Sequence, residues 1–147
     1  MVRRGFQAWC DEAEVGPFAV RILLDTHTFL WWNEANPKLS KRAFAVLADS
    51  RNTLLLSAVS ALELVAKVQA QKLKLPEPPS VYVPTRTAHY GIEILPVTLA
   101  HTLAVEALPL HHRDPFDRLL IAQAQIEQLP ILTIDADIRR YPVKTIW

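Results

Sequence analysis

The sequence has little of three things: cysteine, net charge and long apolar runs. One cysteine, Cys10, occurs in 147 residues, which excludes an internal disulfide and gives no support for a metal–thiolate site. Lys and Arg number 16 against 15 Asp and Glu, for a formal net charge of +1. A chain this close to neutral is not as a whole a basic clamp for nucleic acid, so any such contact has to come from a local patch.

Segments for secretion or membrane insertion are also missing from the pattern. Arg3 and Arg4 resemble the start of a signal peptide, but acidic residues follow them before any apolar run can form. The most apolar internal stretch, Leu54–Ala66, contains Glu63 and two serines. It is shorter than the roughly 20 residues that a membrane-spanning helix needs. We therefore expect a cytoplasmic protein without a membrane contact.

Apolar residues are plentiful, at 50% of the chain with 21% charged. This composition excludes general disorder and is sufficient for a core of the usual kind at this length. No repeat, low-complexity tract or linker interrupts the pattern, so we predict one domain over residues 20–147. Residues 1–19 show no periodicity and are predicted to be an N-terminal extension, either poorly ordered or an artefact of the assigned translation start.

Short apolar runs without polar alternation are typical of buried parallel strands. The predicted strands are VRILLD (20–25), TLLLS (53–57), IEILPV (92–97), PILTID (130–135) and VKTIW (143–147). Helical spacing is found in segments 26–35, 39–50, 58–73, 98–108 and 115–129, with a helical turn at 136–141. The Pro-rich segment 75–84 is predicted to be a loop, with a short helix behind it up to Gly91. Strands that alternate with helices predict a parallel α/β sheet with helices on both faces.

Acidic residues recur where this topology places the carboxyl ends of strands and the starts of helices. Asp25, Glu63, Asp117 and Asp135 are the main set, and Asp114 and Asp137 lie nearby. Ligands bind at this edge of an open parallel sheet. Gathered carboxylates repel one another unless a cation compensates them, and all-oxygen ligands suit Mg²⁺ or Mn²⁺. Such ions support in-line phosphoryl displacement, so the pattern indicates a nuclease.

Each acid also has a structural alternative. Three of them stand where side chains cap helix N-termini: Asp25, Asp114 and Asp135. Glu63 fits a capping box with Ser60, or an ion pair with Lys67 four residues later. Asp117 would lie in a first helical turn, where the helix dipole favours an acid. For Asp114 we favour the cap, whereas four independent caps need not meet at one edge, which favours a site for the main set.

Histidine and tryptophan add weaker signals. His27, His111 and His112 match no zinc-binding spacing, and a substrate contact is favoured over a ligand role for them. Adjacent histidines on a loop are more often solvated than bound. Trp31 and Trp32 belong either to the core or to an interface.

Four segments carry a resemblance to a known family. LLDTHTFLWW, SAVSALELVAKVQAQKL, LPLHHRDPFDRLLIAQA and LTIDADI, in that order, resemble the PIN-domain ribonucleases, in particular the VapC-type toxins of toxin–antitoxin pairs. The DPFDRLLIAQA block is the specific part, and the likeness runs over residues 20–147. It implies a PIN-like three-layer α/β/α fold with a central, mainly parallel sheet. It also implies a Mg²⁺ or Mn²⁺ site, a homodimer and a cognate antitoxin that blocks the site.

The family's acids carry over by motif to Asp25, Glu63, Asp117 and Asp135, with Asp114 as a secondary candidate in the same block. The resemblance implies that Asp25 and Asp117 bind the ion directly, and that Glu63 and Asp135 complete the site directly or through water. The expected function is metal-dependent endoribonuclease. The alternative is a non-catalytic PIN-like interaction module. Candidates for contact with RNA phosphates are Lys67, Arg113 and Arg118, and a solvated helix face is the alternative for both arginines.

Two other enzyme classes fit less well. A phosphotransferase of the haloacid-dehalogenase type needs a second Asp two residues after the first, where this chain has His27. A receiver domain needs an acidic pair near the end of the first strand, and this pair is missing.

Overall fold

Five parallel strands form the centre of the computed structural model, which describes residues 19–147. The strands are β1 (Arg21–Leu24), β2 (Thr53–Ser57), β3 (Glu93–Leu95), β4 (Ile131–Leu132) and β5 (Thr145–Ile146). They pair in the order β3-β2-β1-β4-β5, and every pairing is parallel. In the middle strand, Leu24 is in register with both Leu56 of β2 and Leu132 of β4. The carboxyl ends of these three strands therefore lie side by side.

Six α-helices surround the sheet in the described part of the chain. They are α1 (Thr26–Glu34), α2 (Lys41–Ala48), α3 (Ala58–Gln69), α4 (Pro79–Tyr90), α5 (Leu99–Ala104) and α6 (Pro115–Glu127). A short 3₁₀ turn at Val105–Ala107 follows α5, and another at Ile138–Arg140 lies between β4 and β5. Local sequence accounts for several boundaries: the Ser40 hydroxyl caps α2 by accepting from the N–H of Ala43, and Pro115 occupies the first turn of α6.

The sheet has a core on each face. In β1, Ile22 and Leu24 belong to one apolar cluster and Leu23 belongs to the other. Phe29 of α1 packs in the first cluster, and Ile121 of α6 packs in the second. Burial on both faces explains why the strand sequences show no polar alternation. The predicted three-layer α/β/α architecture with a parallel sheet is confirmed.

The segment after α3 differs from the sequence prediction. Residues 79–84 were expected in a loop, but they form the first half of the three-turn helix α4, which ends at Gly91 with φ of 64°. Pro79 is accommodated in the first turn, where no intrahelical N–H is needed. Pro84 lies inside the helix and removes one main-chain hydrogen bond. Burial of Tyr82 and Val83 in the core offsets this loss.

Smaller differences concern the ends of elements. The helix predicted over 58–73 ends at Gln69, and the strand predicted over 130–135 is regular only at Ile131–Leu132. No helix within residues 19–147 combines the length and apolar character needed to cross a membrane. The predicted N-terminal extension, apart from Ala19, lies outside the described residues.

Candidate metal centre

Asp25 directly follows β1 and is 4% exposed. It stands at the N-cap position of α1, but its carboxylate accepts no capping hydrogen bond. Instead, Oδ2 accepts a hydrogen bond of 2.7 Å from the hydroxyl of Thr133. Burial raises the pKa of Asp25, the Thr133 hydrogen bond opposes that rise, and the charges of Glu63 and Asp135 add to it. Its side chain therefore does not act as a cap, and it lies close enough to Glu63 and Asp135 for their charges to affect it.

Glu63 is also buried, at 3% exposure, in the second turn of α3. Oε1 accepts a 2.9 Å hydrogen bond from the hydroxyl of Thr26, and Oε2 lies 2.7 Å from the Lys67 ammonium. The i,i+4 ion pair is thus confirmed. The capping box with Ser60 is wrong, because α3 begins earlier and is capped by the hydroxyl of Ser57, which accepts from the N–H of Val59.

The two acids at the start of α6 have different surroundings. Asp114 caps the helix by accepting a 2.9 Å hydrogen bond from the N–H of Phe116, as the sequence favoured. Asp117, in the first turn, lies with Oδ2 at 2.9 Å from Nε2 of His112. Burial, then the charges of Asp25, Asp114, Glu63 and Asp135, raise the pKa of Asp117 to about 8. Asp117 is therefore close enough to the other four acids for their charges to raise its pKa.

Asp135 lies three residues beyond the end of β4. Its Oδ1 accepts from the N–H groups of Asp137 and Ile138, at 2.8 and 3.4 Å, so the expected cap of the 136–141 turn is present. Its Oδ2 is 3.3 Å from Nε2 of His112. Asp137 is exposed and lies 3.9 Å from Arg140. One carboxylate oxygen of Asp135 therefore caps the local turn, and the other contacts His112.

The histidines separate into one site residue and two neighbours. His112, 15% exposed, contacts Asp117 and Asp135, and its ring, Asp135 and Asp137 offer ligand atoms within 4.8 Å of one another. His27 is exposed on α1 beside Asp25 and lowers the pKa of that carboxyl. The ring of His111 packs on Tyr141 instead. The expectation of solvated loop histidines is therefore wrong for His112. Its position next to the DPFD segment was the available signal.

The basic candidates are also unequal. Lys67 is held by Glu63 but remains one-third exposed, and Arg113 is exposed on the loop before α6. Arg118 donates from Nη1 to the carbonyl of Pro109 and from Nη2 to those of Val105 and Leu108. These contacts favour a structural role for Arg118 over the predicted phosphate contact.

The cluster as a whole can hold a hard cation. The charges of Glu63 and Asp135 raise the pKa of both Asp25 and Asp117, so the four carboxylates, which come from different parts of the chain, lie close together. Bringing them together unfavourably concentrates negative charge, which a divalent ion relieves. An all-oxygen donor set of this kind fits Mg²⁺ or Mn²⁺.

A parallel sheet between two layers of helices, with acids gathered at its carboxyl edge, defines a class of α/β domain whose ligands bind at the strand ends. The sequence model of the PIN domain family matches residues 22–144. This chain belongs to the PIN domain family.

Individual relatives agree with that assignment. Ribonuclease VapC16 of Mycobacterium tuberculosis (strain ATCC 25618 / H37Rv) is 45% identical over 58 residues, which are 40% of this chain and 41% of that protein. A crystal structure of VapBC2 from Rickettsia felis bound to a DNA fragment from their promoter contains a similar chain, with a TM-score of 0.63 and 18% identity. That alignment covers 86% of this chain and 97% of the other. The FitAcB structure from Neisseria gonorrhoeae gives 0.58 and 19%, covering 86% and 96%. At these identities the structures support the fold.

Proposed function

We propose that this PIN domain is a metal-dependent endoribonuclease and the toxin of a toxin–antitoxin pair. One observation carries the proposal: four acids lie at the carboxyl edge of the sheet, two of them buried. Asp25 and Asp135 follow β1 and β4, and Glu63 and Asp117 lie in the first two turns of α3 and α6. Burial and the charges of the other three acids contribute to raising the pKa of Asp117 to about 8. The similarity to a protein named Ribonuclease VapC16, over 58 residues, supports the choice of RNA.

In this proposal Asp25 and Asp117 bind Mg²⁺ or Mn²⁺ directly, and Glu63 and Asp135 complete the site directly or through water. A bound ion of this type activates water for attack on a phosphodiester and neutralises charge on the phosphate oxygens. The carboxylates that surround it fix its position relative to the sheet edge. Burial of Asp25 and Glu63 excludes bulk water from the inner side of the site.

Two threonines hold the most buried acids in place. The hydroxyl of Thr26 donates to Glu63, and the hydroxyl of Thr133 donates to Asp25. Because the Thr133 hydroxyl donates, it opposes the rise in the pKa of Asp25 that burial causes. Lys67 pairs with Glu63 at the same time and offsets part of its charge.

Phosphate groups of the RNA are proposed to contact Arg113 and Lys67. Arg113 is exposed between two site residues, His112 and Asp114. Lys67 lies on the rim, with its ammonium on Glu63 and one-third of its side chain exposed. Two cations beside an acidic centre supply the local basic surface that the near-zero net charge of the chain lacks.

The proposed protein partners are a cognate antitoxin and a second copy of this chain. Without an ion the acid cluster is a negative pocket, which an arginine fork of an antitoxin fits. The homodimer implied by the family resemblance is supported by apolar surface on α5, where Leu99 and Leu103 are 73% and 62% exposed.

Cleavage of RNA by the purified chain tests the function. Single-stranded and structured RNAs are incubated with the wild type in Mn²⁺, in Mg²⁺ and in EDTA, beside an identically purified Asp25→Asn variant. We expect cleavage only by the wild type with an ion. Cleavage that survives EDTA would contradict the metal mechanism. A protein that binds RNA or an antitoxin but cleaves nothing would support the non-catalytic alternative.

A further inference from the structure

His112 lies among the acids, but the ion-binding proposal gives it no role. Its Nε2 is 2.9 Å from Oδ2 of Asp117 and 3.3 Å from Oδ2 of Asp135. Asp117 is on α6, and Asp135 follows β4. One imidazole therefore joins two carboxylates from separate elements of the fold.

The other ring nitrogen determines where the proton is. Nδ1 of His112 accepts a 3.1 Å hydrogen bond from the main-chain N–H of Asp114. A ring nitrogen that accepts an N–H carries no proton itself, so in the neutral ring the proton is on Nε2. Nε2 thus donates to Oδ2 of Asp135 at 3.3 Å, and Oδ2 of Asp117 lies 2.9 Å from the same nitrogen. Nε2 cannot offer a lone pair to an ion unless the Asp114 contact breaks.

The loop that carries His112 is anchored from two sides. The buried hydroxyl of Tyr141 accepts from the N–H of His112 at 2.8 Å and donates to the carbonyl of Pro109 at 2.7 Å. From α6, the guanidinium of Arg118 holds carbonyls of the same segment, including those of Pro109 and Leu108. Tyr141 and Arg118 therefore hold the main chain of the loop, which in turn positions the imidazole.

We propose that His112 is a positioning residue of the metal centre, whose Nε2–H holds Asp117 and Asp135 together at the spacing that a divalent ion needs. Asp117 contacts His112 through Oδ2, so Oδ1 can face the ion while this contact persists. This inference rests on the metal centre of the proposed function. It assigns to His112 the support of two carboxylates and no direct bond to the ion.

The size of the effect follows from known metal sites. Loss of a hydrogen-bond partner of a metal-binding side chain typically costs about 10–100-fold in metal affinity or activity. An imidazole that merely competed with the ion would have the opposite effect, because its removal would free both carboxylates. The direction of the change in affinity thus separates positioning from competition.

The test measures Mn²⁺ affinity by isothermal titration calorimetry, without RNA. The variants are His112→Ala, His112→Gln, which keeps an N–H donor at similar reach, and His111→Ala as the control from the same loop. The ring of His111 packs on Tyr141, so its removal alters the loop surface without removing a donor to the acids. Circular dichroism in EDTA checks that each variant is folded.

We expect His112→Ala to lose about tenfold or more in Mn²⁺ affinity, His112→Gln to recover most of it, and His111→Ala to resemble the wild type. Unchanged or tighter binding by folded His112→Ala would overturn the positioning role. If His112→Ala fails to fold, weak binding by folded His112→Gln counts against a donor role. A wild type that binds no Mn²⁺ would remove both the metal centre and this inference, whereas Mn²⁺ binding that depends on His112 without RNA cleavage would remove only the proposed function.

Discussion

Thr133 and Asp25 are 108 residues apart in sequence and are joined by a 2.7 Å hydrogen bond from the threonine hydroxyl to the carboxylate. The same hydroxyl oxygen accepts a 3.0 Å hydrogen bond from the N–H of Asp135. One buried threonine thus links an acid at the end of β1 to an acid beyond the end of β4.

Replacing this link tests its contribution. We expect Thr133→Val to lower the free energy of unfolding by about 1.5–3 kcal/mol, because a hydrogen bond to a charged group is lost from a buried site. It should also weaken Mn²⁺ binding. Thr28→Val is the matched control, since the hydroxyl of Thr28 is equally buried but donates to the carbonyl of Leu132. Equal Mn²⁺ affinities for the two variants in calorimetry would contradict a link to the metal centre.

The Asp25→Asn variant tests whether Asp25 binds a metal ion or has a purely structural role. We expect RNA cleavage to fall by about 100-fold or more, as when a group that stabilises transition-state charge is removed. The melting temperature in EDTA should hold or rise, since one charge leaves a crowded acidic site. Paired melts and cleavage assays measure both quantities. A marked drop in melting temperature with activity retained would instead assign Asp25 a purely structural role.

The stability of the metal-free protein should depend on pH through Asp117. Its pKa is about 8 in the folded chain against 3.8 for the ordinary group, so the folded state holds a proton that the unfolded state has lost. The contribution to stability is complete below pH 4 and is lost as the pH rises to about 8. Within that window the loss is up to about 1.4 kcal/mol per pH unit.

Chemical denaturation in EDTA at several pH values measures this dependence. Asp117→Asn should flatten the curve between pH 4 and 8, because the substituted side chain does not titrate. Mn²⁺ should flatten it as well, by taking the place of the proton. An identical slope in wild type and variant would show that other groups control the response.

Divalent ions should stabilise the fold by mass action, because the unfolded chain has no assembled site. At about 100 times the dissociation constant, the expected gain is about 2.7 kcal/mol, which raises the melting temperature by several degrees. Ca²⁺ is expected to stabilise without supporting cleavage, since its bonds are longer and its geometry is looser. Melts unchanged by Mn²⁺ would contradict a preformed ion site.

The proposed antitoxin is expected to bind through the acidic pocket. Binding of the co-expressed partner should be weaker for an Asp25→Ala, Asp117→Ala double mutant, and the difference should shrink at high salt. The comparison variant is Phe44→Ala, in a groove of about 580 Å³ that Trp32 and Tyr90 also line. Weaker binding by Phe44→Ala alone, at every salt concentration, would place the main contact on that apolar groove.

The sequence was sufficient for most of the fold because its signals are local. β1 and β2 are apolar runs that end at a polar residue, and α2 and α6 begin at a capping side chain. The first half of α4 was not predictable in this way. Its prolines are local signals for a loop, whereas burial of Tyr82 in the core is a tertiary effect.

The acids of the candidate site could be chosen from the sequence because each lies just after a strand or within the first two turns of a helix. Their roles in metal binding stay predictions. Residues that hold the acids could not be found, since Thr133 and His112 act through hydrogen bonds that span 108 and 23 residues of sequence. Arg118 shows the reverse error, because the guanidinium that looked available for phosphate is occupied by main-chain carbonyls only in the folded chain.

The strand order has a consequence for the timing of activity. Synthesis proceeds from the N-terminus, so β1, β2 and β3 emerge from the ribosome long before β4. Until β4 arrives, one edge of β1 is unpaired, and neither Thr133 nor Asp135 exists beside Asp25. A partly synthesised chain therefore holds Asp25, Glu63 and Asp117 but lacks Thr133, which links Asp25 to Asp135, and Asp135 itself. The candidate metal centre is therefore complete only when the last part of the chain has been synthesised.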